Sequence, residues 1–244
     1  VELKGKTVLI TGAAKRVGRA IALALARRGA DIAVHYNSSG GEAEKTVKDI
    51  VALGVKAQSF RAELSDAAAI KSLVAGVAQK MGRLDGLVNN AAVFFRTPLD
   101  KVTAEDWDRT LAVNLRAVFL ACVEAGKLML KGEGGAIVNI ADWAGERPYR
   151  DYLPYCVSKA GVIALTKGLA RTLAPKVRVN AVAPGPVLTP EDLSEEEKRE
   201  ILERTPMKRH GSPEDVASAV VWLMEGSDFT AGVILPVDGG RLIS

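Results

Sequence analysis

Tyr155 and Lys159 give the sequence its clearest pairing for acid–base chemistry. Four residues apart in a helix, they share a face. An ammonium beside a phenol favours the phenolate, which predicts a lowered tyrosine pKa and a proton exchangeable with a substrate oxygen near neutral pH. A Tyr-x-x-x-Lys standing alone usually marks a solvated helix face; here it opens the helix expected after a fifth strand. A second group lies near the N-terminus. The run Gly12-Ala13-Ala14-Lys15-Arg16-Val17-Gly18 directly follows an apolar β-branched stretch. Gly12 allows a tight turn, Gly18 allows close helix–sheet packing, and free amides at the next helix N-terminus suit a pyrophosphate. A third group, His35-Tyr36-Asn37-Ser38-Ser39, ends the second strand without a carboxylate to grip the ribose of NAD. With Lys15 and Arg16 on the neighbouring turn, hydroxyls, an imidazole and cations become available to a 2′-phosphate, which predicts NADP(H). The alternative for His35 is an ordinary residue capping a strand.

The elements that must position these groups follow from the pattern. Strands are read at Thr7 to Ile10, Asp31 to His35, Lys56 to Arg61, Gly86 to Asn89, Ala136 to Ile140, Val177 to Val182 and Val233 to Val237. Helices are read at Arg16 to Arg28, Glu42 to Leu53, Asp66 to Met81 behind a Ser65 cap, Thr103 to about Leu130, and Tyr155 to Leu173. Two more helix starts are a capping box at Ser194-Glu195-Glu196-Glu197 and Ser212-Pro213-Glu214-Asp215. The strands are mostly continuous apolar runs, as in sheets buried on both faces. Seven of them with interposed helices predict an α/β doubly wound parallel sheet, read as one Rossmann-type domain over 1–244 with a substrate segment near 187–211. In such a sheet the ligand lies outside the carboxyl ends of the strands, where strand order reverses.

The 244 residues are 48% hydrophobic and 25% charged, which excludes a disordered or collagen-like chain. The net charge of +4 comes without any cluster of five basic residues, so no nucleic-acid partner is expected. No apolar run reaches a membrane span, and Val1 to Lys6 leads so directly into the first strand that no signal peptide is expected. Cys122 and Cys156 form no metal-ligand spacing and are read as small buried hydrophobes in a reducing, cytoplasmic compartment.

In these residues the chain resembles the short-chain dehydrogenase/reductase family over essentially its whole length. Thr11-Gly12 through Gly18 resembles the family's glycine-rich turn, Asn89-Asn90-Ala91 its signature after strand four, and Tyr155 with Lys159 its catalytic pair. Asn114 matches the family's helix asparagine, which implies a link through a relay water to the active site. Pro184-Gly185 matches the loop closing over the nicotinamide, and Val237-Asp238-Gly239-Gly240 the C-terminal motif. The resemblance implies further cofactor contacts at Glu63 and Leu64, where the family usually has Asp after strand three, and at Ile140 and Val187. In the family the helices after strands four and five form a four-helix interface. Leu111 to Leu128 and Val157 to Leu169 are apolar on more than one face, so a homotetramer is expected.

Two departures stand out. Arg16 replaces the middle glycine of the turn, and Asp142 occupies the position of the catalytic serine, thirteen residues before Tyr155. Both resemble the pteridine reductase branch, as do His35-Tyr36 and Phe94 followed by Thr97-Pro98-Leu99. That resemblance implies an NADPH-dependent reductase of a pterin or dihydrofolate C=N bond. Asp142 and Tyr155 would manage protons, Lys159 would orient the ribose, Phe94 would stack the substrate, and Arg16 would face both phosphate and substrate. The alternatives are a carbonyl reductase of the same family, acting on 3-oxoacyl groups or sugars, and a catalytically weak NADP-binding protein.

Overall fold

The computed structural model describes residues 2–187, 194–226 and 228–244. Seven strands, β1 (Thr7–Ile10), β2 (Asp31–Tyr36), β3 (Ala57–Arg61), β4 (Gly86–Asn89), β5 (Gly135–Ile140), β6 (Val177–Pro184) and β7 (Ile234–Val237), form one sheet. All pairings are parallel and the order is β3-β2-β1-β4-β5-β6-β7. Strand order reverses between β1 and β4, so the crevice expected for a ligand opens there. The helices are α1 (Arg16–Arg27), α2 (Gly40–Val51), α3 (Ala67–Met81), α4 (Ala104–Leu111), α5 (Ala117–Lys131), α6 (Leu153–Leu173), α7 (Glu195–Glu203) and α8 (Pro213–Glu225).

The continuous apolar runs have the expected physical cause. Leu9, Leu87 and Ile137 face one core layer with α3, α5 and α6. Val8, Ile10 and Val88 face the opposite layer with α1 and α8. Ile21 and Leu25 of α1 are fully buried there; each such side chain contributes about 1.5–3 kcal/mol. Among the described residues no helix is long and apolar enough to cross a membrane.

The structure corrects several boundaries. Asp66, not Ser65, caps α3, its carboxylate accepting from Ala68 N at 2.8 Å. The helix expected from Thr103 is interrupted: α4, behind a capping box of Thr103 and Asp106, passes into a π-helical segment, Ala112–Arg116, before α5. α6 begins two residues before Tyr155, with Pro154 in its first turn. β6 runs on to Pro184. Ser212 and Asp215 form the reciprocal cap of α8. α7 starts at Glu195 as the sequence suggested; the Glu197 side chain of the expected capping box and residues 188–193 of the substrate segment lie outside the described residues.

Candidate active site

The glycine turn is built from the backbone up. Gly12 has φ +64° and packs against Ala91. A Cβ on Gly18 would stand 2.2 Å from the Gly12 carbonyl oxygen and 2.6 Å from Asn90 Nδ2, so only glycine fits. Arg16, in place of a middle glycine, itself adopts φ +54°; the left-handed turn is kept by a residue that carries a guanidinium. That conformation costs an L-residue about 1–2 kcal/mol. Lys15 and Arg16 are exposed, and Val17 is half-buried against the layer of α1 and α8. Asn90, which sequence reasoning did not single out as a site residue, ties the turn to β4: its Nδ2 donates to the Thr11 and Gly12 carbonyls at 2.9 and 3.2 Å.

His35 does not face a phosphate. It is 1% exposed, its Nδ1 accepts from Gly12 N at 3.1 Å, and its other ring nitrogen meets the Ala62 carbonyl at 3.2 Å. Burial pushes its pKa down to about 4, so the ring is a neutral strut under the glycine turn. Tyr36 is half-buried over Gly40, and Ser39 is the N-cap residue of α2. A carboxylate does stand at the end of β2, reaching across from beyond β3: Glu63 Oε2 accepts from Asn37 Nδ2 at 2.7 Å, and Oε1 accepts from Ser65 N and Oγ at 2.9 Å. These donors lower its pKa. Leu64 belongs to the core.

Asn89 is likewise interior. Its Nδ2 donates to Asn139 Oδ1 at 2.8 Å and to Cys122 Sγ at 3.2 Å, and Asn139 Nδ2 donates to Thr166 Oγ1 at 3.0 Å. Burial raises the Cys122 thiol to about 12. Asn114, on the π segment, clasps Val93 from both sides: Oδ1 accepts from Val93 N at 2.8 Å and Nδ2 donates to its carbonyl at 2.9 Å. Both side-chain groups are spent on holding the loop that carries Phe94. Gly185 fits against Asp238, where a Cβ would lie 2.6 Å from the Asp238 Cα. A cavity of about 310 Å³ opens between Pro186, Val187, Met207, Arg209 and Asp238. Asp142, Tyr155 and Lys159 do not line it, so the chemistry is located by side-chain geometry rather than by that cavity.

Asp142, Tyr155 and Lys159 come together at the carboxyl end of β5. The Tyr155 hydroxyl donates to Asp142 Oδ2 at 2.7 Å, and Ala144 N donates to Oδ1 at 2.8 Å. Lys159 Nζ donates to the Ile140 carbonyl at 2.7 Å and lies 5.6 Å from the Tyr155 ring centre. Burial lowers Lys159 to about 8. Burial also raises Asp142, against the pull of Ala144 N and the Tyr155 hydroxyl. The expected lowering of Tyr155 is reversed: burial and then the nearby Asp142 charge push it well above its ordinary value. The ammonium is engaged by a backbone carbonyl, while the carboxylate is in direct contact with the phenol.

Around them stands an aromatic wall. Phe94 stacks on Tyr152 at 4.4 Å and 6°, and meets Tyr155 edge-on at 4.7 Å and 77°. Tyr149 and Trp143 complete it. Sequence reasoning missed Tyr149 and Tyr152, though the signal was present: three of the chain's four tyrosines fall at 149, 152 and 155.

The chain matches a family model described as enoyl-(acyl carrier protein) reductase over residues 12–241. It is 38% identical over 247 residues to a 3-oxoacyl-[acyl-carrier-protein] reductase FabG of Thermotoga maritima, covering all of both chains. It is 37% identical over 239 residues to the protein of that name from Staphylococcus aureus, covering 96% of this chain and 97% of that one. Among solved structures, the NADPH-dependent 3-quinuclidinone reductase of Rhodotorula rubra superposes with a TM-score of 0.93 at 28% identity, over 100% of this chain and 93% of that one. These relatives overturn the expectation of a pterin or dihydrofolate substrate, because they are named for reduction of 3-oxoacyl groups. One face of Phe94, the ring expected to stack a pterin, is covered by Tyr152.

Proposed function

The chain belongs to the short-chain dehydrogenase/reductase family of oxidoreductases, and from that premise we propose that it reduces a carbonyl, with a 3-oxoacyl thioester as the substrate class and NADPH as the cofactor. The observation that carries this reading is the meeting of Tyr155 and Lys159 at the end of β5, Lys159 Nζ 5.6 Å from the tyrosine ring centre, beside the crevice between β1 and β4. The names of the FabG relatives support the substrate class. The glycine turn fits a dinucleotide phosphate by its place, since it leaves β1 and opens α1, whose free N-terminal amides suit a phosphate. Lys15 and Arg16, exposed beside it, suit a 2′-phosphate. When bound, the reduced nicotinamide would supply the hydride for the carbonyl carbon.

The chain's own residues then govern the proton. With Asp142 ionised, the Tyr155 hydrogen is spent on Oδ2. With Asp142 protonated, the carboxyl can donate to the Tyr155 oxygen instead, which frees the tyrosine hydrogen for the substrate oxygen. Lys159, held by Ile140, places a positive charge beneath the tyrosine as negative charge develops. Phe94 and Tyr152 cover the tyrosine and keep water from it. The protein works as a homotetramer in this reading, α5 and α6 offering Phe119 and Val157, 45% and 38% exposed, to a second copy.

The test is oxidation of NADPH by the purified protein with a 3-oxobutanoyl thioester and, beside it, simple ketones. Turnover of the thioester is expected. No oxidation with any of these carbonyl compounds sinks the proposal.

A further inference from the structure

The Asp142 carboxylate lies between two tyrosines, and the reaction above uses one. Tyr149 is the other, its hydroxyl 3.3 Å from Asp142 Oδ1. The orientation of that hydroxyl is fixed by its neighbour. An indole N–H can only donate, and Trp143 Nε1 donates to the Tyr149 oxygen. A phenol that accepts from the indole still has its own hydrogen to give, and the acceptor beside it is Asp142 Oδ1. The ring is held as well: it meets Trp143 edge-on at 5.3 Å and Tyr152 at 6.2 Å, and Tyr149 N donates to Cys156 Sγ at 3.3 Å. Behind the indole, the Arg241 guanidinium lies 5.3 Å from the Trp143 ring centre. Arg147 fastens that C-terminal turn through the carbonyls of Arg241 and Leu242, at 3.2 and 3.3 Å, and that of Ser244.

We propose that Tyr149 is a positioning residue of this site: locked by Trp143, it donates to Asp142 Oδ1 and so keeps Oδ2 aimed at the Tyr155 hydroxyl. This rests on the reading of Asp142 and Tyr155 as the proton pair of the reaction. Tyr149 acts through Asp142. The groups that face the carboxyl are Tyr155, Cys156 and Lys159 from α6, Tyr149 from the preceding loop and Ala144 N from the turn, while Arg241 faces Tyr149 from the C-terminal side. Burial and the Asp142 charge keep Tyr149 protonated far above its ordinary range, so it stays a donor throughout. Without that donor, burial of the carboxyl is opposed by fewer partners, and Asp142 holds its proton to higher pH.

The experiment follows the Asp142 carboxyl directly. In protein labelled with ¹³C-aspartate, its resonance is assigned by its disappearance in Asp142→Asn, then titrated in the parent, Tyr149→Phe and Trp143→Phe. Tyr149→Phe should move the midpoint upward by about half to one pH unit. Trp143→Phe, which frees the hydroxyl to rotate, should move it less in the same direction. The alkaline limb of kcat should move with the midpoint while KM for the carbonyl substrate stays put. A midpoint unchanged from the parent in folded Tyr149→Phe overturns the proposal; if that variant does not fold, an unchanged midpoint in Trp143→Phe does so. The titration needs no substrate, so a chain that reduces no carbonyl refutes the functional reading and still leaves this test to decide the role of Tyr149.

Discussion

In the proposed reaction, the proton between Asp142 and Tyr155, 2.7 Å apart, decides which of them can address a substrate. Because burial raises Asp142, its acid form persists above the ordinary aspartate range. Carbonyl reduction should therefore hold on the acid side and fall as pH rises through that raised value, since ionisation turns the Tyr155 hydrogen away; a kcat profile checks the sign. Asp142→Asn should keep turnover within about tenfold and lose the fall that Asp142 sets, leaving the separate fall that comes as Lys159 gives up its charge. Its amide oxygen can still accept from Ala144 N and Tyr149, and its NH₂ mimics the protonated acid toward Tyr155. Tyr155→Phe should lose about a hundredfold or more, the usual loss of a general acid. At Arg16 the prediction couples two readouts. Arg16→Gly relieves the left-handed strain and should raise Tm; if Arg16 makes the phosphate contact proposed above, the substitution should also lower the preference for NADPH over NADH by about tenfold to a hundredfold. Equal ratios of the two Kd values in parent and variant would remove Arg16 from the phosphate site.

At the scale of elements, α8 shows how a local cue becomes a packed layer. Ser212 accepts from Asp215 N at 3.2 Å and Asp215 reaches back to Ser212 N at 2.8 Å. The helix so started packs Val216, Val220 and Leu223 into the layer it shares with α1. Ser212→Ala should cost about 1 kcal/mol in denaturant unfolding with NADPH affinity unchanged. This cap was legible in the sequence because donor and acceptor lie three residues apart. Strands β1, β2, β4, β5 and β6 were legible because burial on both faces leaves largely apolar runs; β3 and β7, at the sheet edges, are only partly buried. The π segment at Ala112–Arg116 was not, since an unbroken helical pattern without Pro or Gly there gives no local sign that its period will widen. The roles of His35, Asn89 and Asn114 were hidden for a related reason. Their partners Gly12, Asn139 and Val93 lie 23, 50 and 21 residues away, and a polar side chain at a strand end looks the same whether it meets a ligand or a backbone amide. The Tyr155–Lys159 pair was legible, but its electrostatics were not, because spacing could not reveal that Ile140 would take the ammonium.

For the whole molecule, the apolar side chains left outward on α5 and α6, Phe119, Leu130, Leu153 and Val157, fit the homotetramer proposed above. Light scattering at micromolar concentration should report about four times the 25.8 kDa chain mass. Phe119→Glu should give a smaller species, and a monomeric parent would refute the assembly. The sheet itself carries a subtler device. Parallel strands of Val, Ile and Leu look alike when slid by one place, and hydrocarbon alone says little about which neighbour is correct. Asn89 and Asn139 sit opposite each other in the pairing of β4 with β5 and are bonded to each other in the dry interior. A slip by one residue would strand both amides in oil, each at a cost of several kcal/mol. The pair thus works as a proofreading mark at the centre of the sheet. Replacing both with leucine should leave a chain that still collapses and still withstands heat, yet exchanges its central amide hydrogens faster, having lost its means of telling one alignment from the next.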